Sequence, residues 1–372
     1  MVSPSASPGF LPVARLGSLV SELMARGYRC YGPTVQEGAI QLGVLESPEI
    51  HRGLQAIQQP GRYRLATDPE NRYFAWTNGP QAIKPHTFAS KETLWRAERD
   101  GEGRLNFNAV IPEPTPRAFI GVRACDLAAL AIHDAHFLRE GRGDAQYAAR
   151  REKVFLVAVQ CSEPAATCFC ASTGDGPTPT RGFDIALAEL EDGFVATAGS
   201  EAGADVLAAL DIAQASAAQI AAARAQAEAT AARQTRALPG RNLRDALMTR
   251  LEHPRWDAVA TRCLACGNCV SVCPTCFCHA EVDDPALDGA SSEHVRVWDT
   301  CFGEAHGTLH GFNVRPDVRT RYRQWLTHKL ATWHDQFGRS GCVGCGRCIA
   351  WCPVGIDLTE EVAALLAPGA AP

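Results

Sequence analysis

The sequence predicts an α/β N-terminal domain of mixed strands and helices containing a βαβ unit, residues 1–240, followed by a smaller α-helical, cysteine-rich domain, residues 241–372. Three observations predict this. Two short apolar runs, "RAFIGV" (117–122) and "VFLVAV" (154–159), have the length of buried strands and flank "DLAALAIHDAHFL" (126–138), whose apolar residues recur at helical spacing. The alanine-rich "AAQIAAARAQAEATAARQTR" has strong helix propensity with a largely polar surface, and "RALPGRN" (236–242) breaks the chain after it. Beyond that break the cysteine density jumps: "CLACGNCVSVCPTCFC" (263–278) places six of the chain's 16 cysteines in sixteen positions.

Composition limits what such a chain does. With 372 residues, 46% hydrophobic and 21% charged, it buries substantial cores and suits two domains better than one. A net charge of -5 provides no general basic face for nucleic acid or anionic lipid, so neither partner is expected. The N-terminus "MVSPSASPGFLPVARLG" lacks a charged segment followed by an apolar run, and no window holds the roughly 20 apolar residues of a membrane span. The expected location is therefore the cytoplasm, where thiols stay reduced and a high cysteine count points to metal rather than disulfides.

No repeat of 20–50 residues runs through the chain, but one short pattern occurs twice: "CLACGNCVSVCP" (263–274) and "CVGCGRCIAWCP" (342–353). Both read C-x2-C-x2-C-x3-C-P, the run that holds 4Fe-4S cubanes in bacterial-type ferredoxins. Three cysteines on one tight loop reach three irons of a cube, while the fourth, ahead of proline, points to the other cluster. The predicted ligands are Cys263, Cys266, Cys269 and Cys352 for cluster A, and Cys342, Cys345, Cys348 and Cys273 for cluster B. Gly267 and Gly346 are expected to let each loop turn sharply against the inorganic core. A structural zinc site prefers two C-x2-C pairs separated by a longer loop, so the doubled unbroken quartet favours iron-sulfur.

The two runs start 79 residues apart, farther than a compact β-hairpin ferredoxin needs, and "PDVRTRYRQWLTHKLATWHDQFG" (316–338) between them reads as helix. The C-terminal part is thus expected to be an α-helical ferredoxin-type dicluster domain. Arg315, Arg319, Arg321, Arg323 and Lys329 there read either as a solvated helix face, or as charge compensation for anionic clusters or a docking surface for an acidic partner.

In the N-terminal part, Cys125 and Cys161 fall just past the carboxyl ends of the two expected parallel strands, where open α/β sheets place their ligands. "CSEPAATCFC" adds Cys168 and Cys170, so a third 4Fe-4S site, cluster C, is expected from Cys125, Cys161, Cys168 and Cys170. The competing reading is four small buried hydrophobes. A helix beginning at Asp126 would direct its positive end toward Cys125 and favour thiolate.

The combination "GVRACDLAAL", "CSEPAATCFC", "STGDGP", "CLACGNCVSVCPTCFC", "WDTCF", "RYRQWLTHK" and "CVGCGRCIAWCPVGIDL", in this order over about residues 55–360, resembles the beta subunit of cytoplasmic NiFe sulfhydrogenases. The corresponding iron-sulfur subunit of anaerobic sulfite reductase is closely similar. The resemblance implies a 4Fe-4S electron relay between a flavin-containing subunit that meets NAD(P)H and a catalytic partner. That partner is the small and large subunits of a NiFe hydrogenase or, alternatively, a sulfite reductase catalytic subunit. The segment "CFGEAHGTLHGFNVRP" departs from the glycine-histidine-asparagine order expected before Arg-Pro, which leaves His306 and His310 without an implied role.

Four cysteines remain. Cys30 reads as structural; Cys276, Cys278 and Cys301 read as packing or tuning groups near the clusters, or as a replacement ligand or additional site. Trp298 and Asp299 read as a structural corner, and Trp325 and Trp333 as core or interface. "STGDGP" (172–177) lacks both the dinucleotide fingerprint and the phosphate-loop lysine, so nucleotide binding is assigned to a partner. The relay reading carries no catalytic residue. The competing class is a chain that itself reduces sulfur compounds at an open iron of the TCFC site.

Overall fold

The computed structural model describes residues 7–77 and 79–367. Its frame is an eight-stranded mixed sheet in the order Ala213–Gln214, Gly9–Pro12, Gly193–Ala198, Ile185–Glu189, Val154–Val159, Arg117–Val122, Arg29–Gln36 and Ala39–Val44. The four strands from Ile185–Glu189 to Arg29–Gln36 run parallel to their neighbours, and the flanking pairs are antiparallel. Between Arg117–Val122 and Val154–Val159 the chain forms the helices Ala124–Phe137 and Ala145–Arg151.

The unbroken apolar runs of these strands follow from burial on both faces. Ala118, Ile120, Phe155, Val157 and Val159 enter a core with the helix Leu16–Ala25, whereas Phe119, Val122, Leu156 and Ala158 pack on Leu127 and Leu130 of the opposite helix. The alternation of strand side chains thus fills two cores with one sheet. Gly121, at φ +93, sits where the register to Val154–Val159 shifts. A Cβ there would lie 3.1 Å from the Trp76 ring, so the bulge needs glycine.

The alanine-rich segment is the helix Ala217–Ala232, opened by a capping box of Ser216 and Gln219. Ala223, Ala227 and Thr230 form its buried stripe, and the Gln160 amide donates to the Ala223 carbonyl at 2.7 Å. Segment 316–338 is helical as Val318–Thr327, a π-helical turn His328–Thr332, and Trp333–Phe337. It packs with Arg255–Ala260 and Leu358–Leu366 around Trp256, Tyr322, Trp325 and Val362.

An all-helical C-terminal part is corrected by two hairpins, the smaller of them Thr308–Leu309 with Phe312–Asn313. His279–Pro285 and Ser291–Trp298 pair antiparallel, and the second strand pairs with Lys91–Arg99, which in turn pairs with Leu105–Ala109. This four-stranded sheet spans the expected boundary at 240/241. Among the described residues no helix is long and apolar enough to cross a membrane.

The two parts are also joined by charge. Arg347, inside the second cysteine run, donates to Asp126 at 2.8 Å, with both side chains 2% exposed, and its Nε reaches the Gly79 carbonyl at 3.2 Å. Removing one member of a buried pair strands the other, at about 3–5 kcal/mol. Asp126→Ala is therefore expected to lower the thermal unfolding midpoint by several degrees under anaerobic conditions. An unchanged midpoint would show that the pair is dispensable.

Candidate metal centres

The residues of the first run surround one cavity. Cys263, Cys266, Cys269 and Cys352 line it with Cys348, Tyr322 and Trp325. Gly267 and Gly346 hold left-handed φ values of +74 and +71 and precede the short helices Asn268–Ser271 and Arg347–Ala350 that carry the third cysteine of each run. The nearest protein neighbours of these glycines differ from expectation. A Cβ on Gly267 would meet Thr300 at 3.0 Å, and one on Gly346 would meet the Thr167 carbonyl oxygen at 2.2 Å. The glycines thus admit neighbouring protein as well as shaping the loop.

The charge of Cys273 acts on the thiols of Cys342, Cys345 and Cys348, so Cys273 lies in the neighbourhood of the second run. Cys352, from the second run, lines the first cavity beside Cys263, Cys266 and Cys269. Lys329, buried in the π-helical turn, places its ammonium 3.4 Å from the Cys273 sulfur and 3.0 Å from Thr275 Oγ1. Burial opposes its charge, but the thiols of Cys273, Cys276 and Cys342 hold its pKa well above the usual lysine value. A hydrogen bond with Cys276 brings the Cys273 thiol well below its ordinary value, and Lys329 adds to this against the cost of burial. Cys342 is pushed up to about 12 by burial.

Lys329 thus reaches the thiols directly. Arg319 and Arg323 pair with Glu252 at 2.9 and 2.8 Å, and Arg315 and Arg321 donate to the carbonyls of His306 and Phe302. The positive segment is part compensating charge and part surface ion pair.

Cys125, Cys161, Cys168 and Cys170 line a third cavity with Cys345 and Arg347. Cys125 lies in the first turn of Ala124–Phe137, which starts two residues earlier than expected. The expectation that this helix end favours thiolate is corrected: burial, then the neighbouring Asp126, raises the Cys125 thiol well above its ordinary value, with Arg347 opposing. Cys168 is pushed up to about 12 by burial. Gln234 donates to the Cys170 sulfur at 3.2 Å, and Arg123 contacts the Cys161 sulfur at 3.8 Å.

The TCFC loop is fastened to the second run by backbone. Phe169 N–H donates to the Gly344 carbonyl at 2.8 Å, and a Cβ on Gly344 would lie 2.5 Å from the Cys170 backbone. Cys345 consequently faces the third cavity while Cys348 faces the first.

The other cysteines separate. Cys30 is buried in the sheet core with its thiol raised to about 11 by burial, the structural role expected. Cys276 lies against Cys273. Cys278 and Cys301 lie together with His306. A hydrogen bond from Cys278 brings the Cys301 thiol down to about 7 against burial.

Residues 262–356 match the family model described as a 4Fe-4S dicluster domain. Over 264 residues, 70% of this chain and 77% of the relative, the sequence is 33% identical to sulfhydrogenase 2 subunit beta of Pyrococcus furiosus. The chain belongs to the sulfhydrogenase beta subunit family. It is an iron-sulfur electron-transfer subunit with 4Fe-4S clusters as its cofactors. No solved structure matches it.

The cavities suit such groups. Tyr322 Oη and Trp325 Nε1, both at the first cavity, are buried polar atoms with no hydrogen-bond partner among the described residues, as are Arg123 Nε and Arg347 Nη1 at the third. Donors of this kind fit the sulfurs of an anionic cluster. Sequence reading missed Lys84, Arg123, Arg347, Tyr322 and Trp325 as groups facing the sites. The signal available was an arginine inside "CGRC" and a tyrosine and tryptophan at helical spacing in the segment between the two cysteine runs.

Gly346→Ala tests the packing of the loops. The left-handed backbone alone costs roughly 1–2 kcal/mol. Gly38, at φ +75 with nothing within 4 Å of its would-be Cβ, gives the control for strain without contact. Gly346→Ala is expected to lower the unfolding midpoint well below that of Gly38→Ala and to reduce bound iron. Equal midpoints would show that the approach to Thr167 relaxes at no cost.

Proposed function

We propose that this chain relays electrons within a NiFe sulfhydrogenase-type complex, between the hydrogenase subunits and a flavin-containing, NAD(P)H-linked subunit. The observation that carries the reading is that ten cysteines line two cavities, five in each, together with 33% identity to a sulfhydrogenase beta subunit. Bound 4Fe-4S clusters would supply one-electron carriers there.

In this reading cluster A is held by Cys263, Cys266, Cys269 and Cys352, cluster B by Cys342, Cys345, Cys348 and Cys273, and cluster C by Cys125, Cys161, Cys168 and Cys170. Lys329 offsets negative charge at Cys273, and Arg347 and Arg123 do so at the third site. Tyr322 and Trp325 offer donors at the first. Cys345 and Cys348, three residues apart, face the outer two sites from the middle one, which supports the order A, B, C. Catalysis belongs to the partners.

Lys329→Met removes a positive charge from cluster B and is expected to lower that cluster's reduction potential at unchanged iron content, since the oxidised, less negative state loses less stabilisation. Potentiometric titration followed by paramagnetic resonance reads it; an unmoved potential would remove Lys329 from the electrostatics of the site.

Iron content should be about 12 per chain, and Cys125→Ala with Cys161→Ala should lower it to about 8 while the magnetically coupled A and B signals persist. A double variant with full iron would reduce the third site to buried thiols. Anaerobic co-purification of the native complex decides the partner: nickel supports the hydrogenase reading, and sirohaem in its place would sink it.

A further inference from the structure

We infer that Cys278, Cys301 and His306 form a mononuclear site for a soft divalent metal, zinc, separate from the three cluster sites. The sulfurs of the two cysteines and a ring nitrogen of the histidine lie within 4.8 Å of one another, the only such trio of cysteine, histidine or carboxylate ligands among the described residues. That closeness sets the metal. Thiolates bound to different irons of a cubane must stand farther apart, and among the described residues no three of the twelve thiols proposed as cluster ligands lie that close together. A single tetrahedral zinc with bonds of about 2.3 Å to sulfur and about 2.0 Å to nitrogen draws its ligand atoms to within about 4 Å of one another.

The surrounding frame holds the trio in place. Cys278 and Cys301 flank the hairpin of His279–Pro285 and Ser291–Trp298, whose base is closed by Asp299 N–H donating to the Cys278 carbonyl at 3.0 Å. His306 comes from the 3-10 turn Ala305–Gly307. Its Nδ1 lies 3.1 Å from Asp299 Oδ2, while the other Asp299 oxygen accepts from Thr300 N–H at 2.7 Å. A carboxylate on Nδ1 fixes the ring and leaves Nε2 as the nitrogen for a metal, the outer partner that metal-binding histidines ordinarily have. Asp299, at a corner of the chain, is thereby a positioning residue.

Charge agrees with zinc. Two thiolates and a neutral imidazole around a dication make a neutral group, suited to the largely buried position of Cys301. Three protein ligands leave the fourth position to water, since the Cys276 thiol is engaged with Cys273. The metal would clamp the hairpin base to the turn that follows it.

The test is metal analysis and zinc X-ray absorption on the full chain, purified anaerobically with its iron. The expected result is about one zinc per chain with a sulfur and nitrogen shell. Cys301→Ser with His306→Gln should lose the zinc and leave the iron unchanged, and Asp299→Asn should weaken zinc retention against a chelator several-fold while circular dichroism stays the same. Absence of zinc, zinc kept by the double variant, or a loss of about four irons with it would each overturn the site, the last by making it a fourth cubane.

Discussion

Positive charge buried beside thiols is the constraint on which the rest of this molecule depends. Lys84, Arg123, Lys329 and Arg347 are all at most 6% exposed, an expensive placement for four cations unless each meets a compensating group. Each does. Lys84 donates to the Cys273 carbonyl at 3.3 Å and lies 3.8 Å above the Trp298 ring, Lys329 meets Cys273, Arg347 meets Asp126 and faces Cys125 and Cys345, and Arg123 meets Cys161. The buried cations and the thiols therefore share one neighbourhood, where carbonyls, a carboxylate, an aromatic ring and sulfur divide the compensation between them.

This coupling explains why the α/β part and the cysteine-rich part do not behave as separate modules. Gly344 and Gly346 let the second run approach the TCFC loop at distances no side chain would permit. The Phe169 N–H to Gly344 carbonyl bond fixes the approach, and the hairpin 279–298 adds two strands to a sheet begun by residues 91–109. The parallel strands bring Cys125 and Cys161 to one sheet end, so sheet topology supplies two of the thiols that the loop completes.

Local signals in the sequence carry much of this, and nonlocal ones do not. The strands at 117–122 and 154–159, the helix between them and the helix from 217 are legible because apolar periodicity and capping are properties of a short window. The cysteine runs are legible because their spacing is itself geometry. The pairing of Ser291–Trp298 with Lys91–Arg99 is not, because the partners are about 200 residues apart and "HAEVDDP" alternates acidic residues on an exposed strand. The thiol ionisation of Cys125 departs from expectation for a related reason: a helix end is visible in sequence, whereas the burial that overrides it is a property of the packed whole. Asp299 reads only as a corner in sequence because its contact with His306 depends on a turn that the fold alone closes.

The placement of the outer sites follows from the same geometry. Cys342 to Cys348 is a seven-residue stretch, too short to lie in more than one compact loop, yet it presents Cys348 to the first cavity and Cys345 to the third. The short helix Arg347–Ala350 starts between them, and its N-terminal turn directs the two side chains apart. A change in this loop therefore acts on both cavities at once. The first cavity lies toward solvent, with Cys266 exposed and Leu264 and Val354 apolar beside it at 62% and 38% exposure. The third is lined by the sheet end, the TCFC loop, the helix Ala217–Ala232 and the second run. In the relay reading the solvent-facing end is the one suited to meeting a partner at short range, since an apolar rim around a site can be dehydrated at little cost.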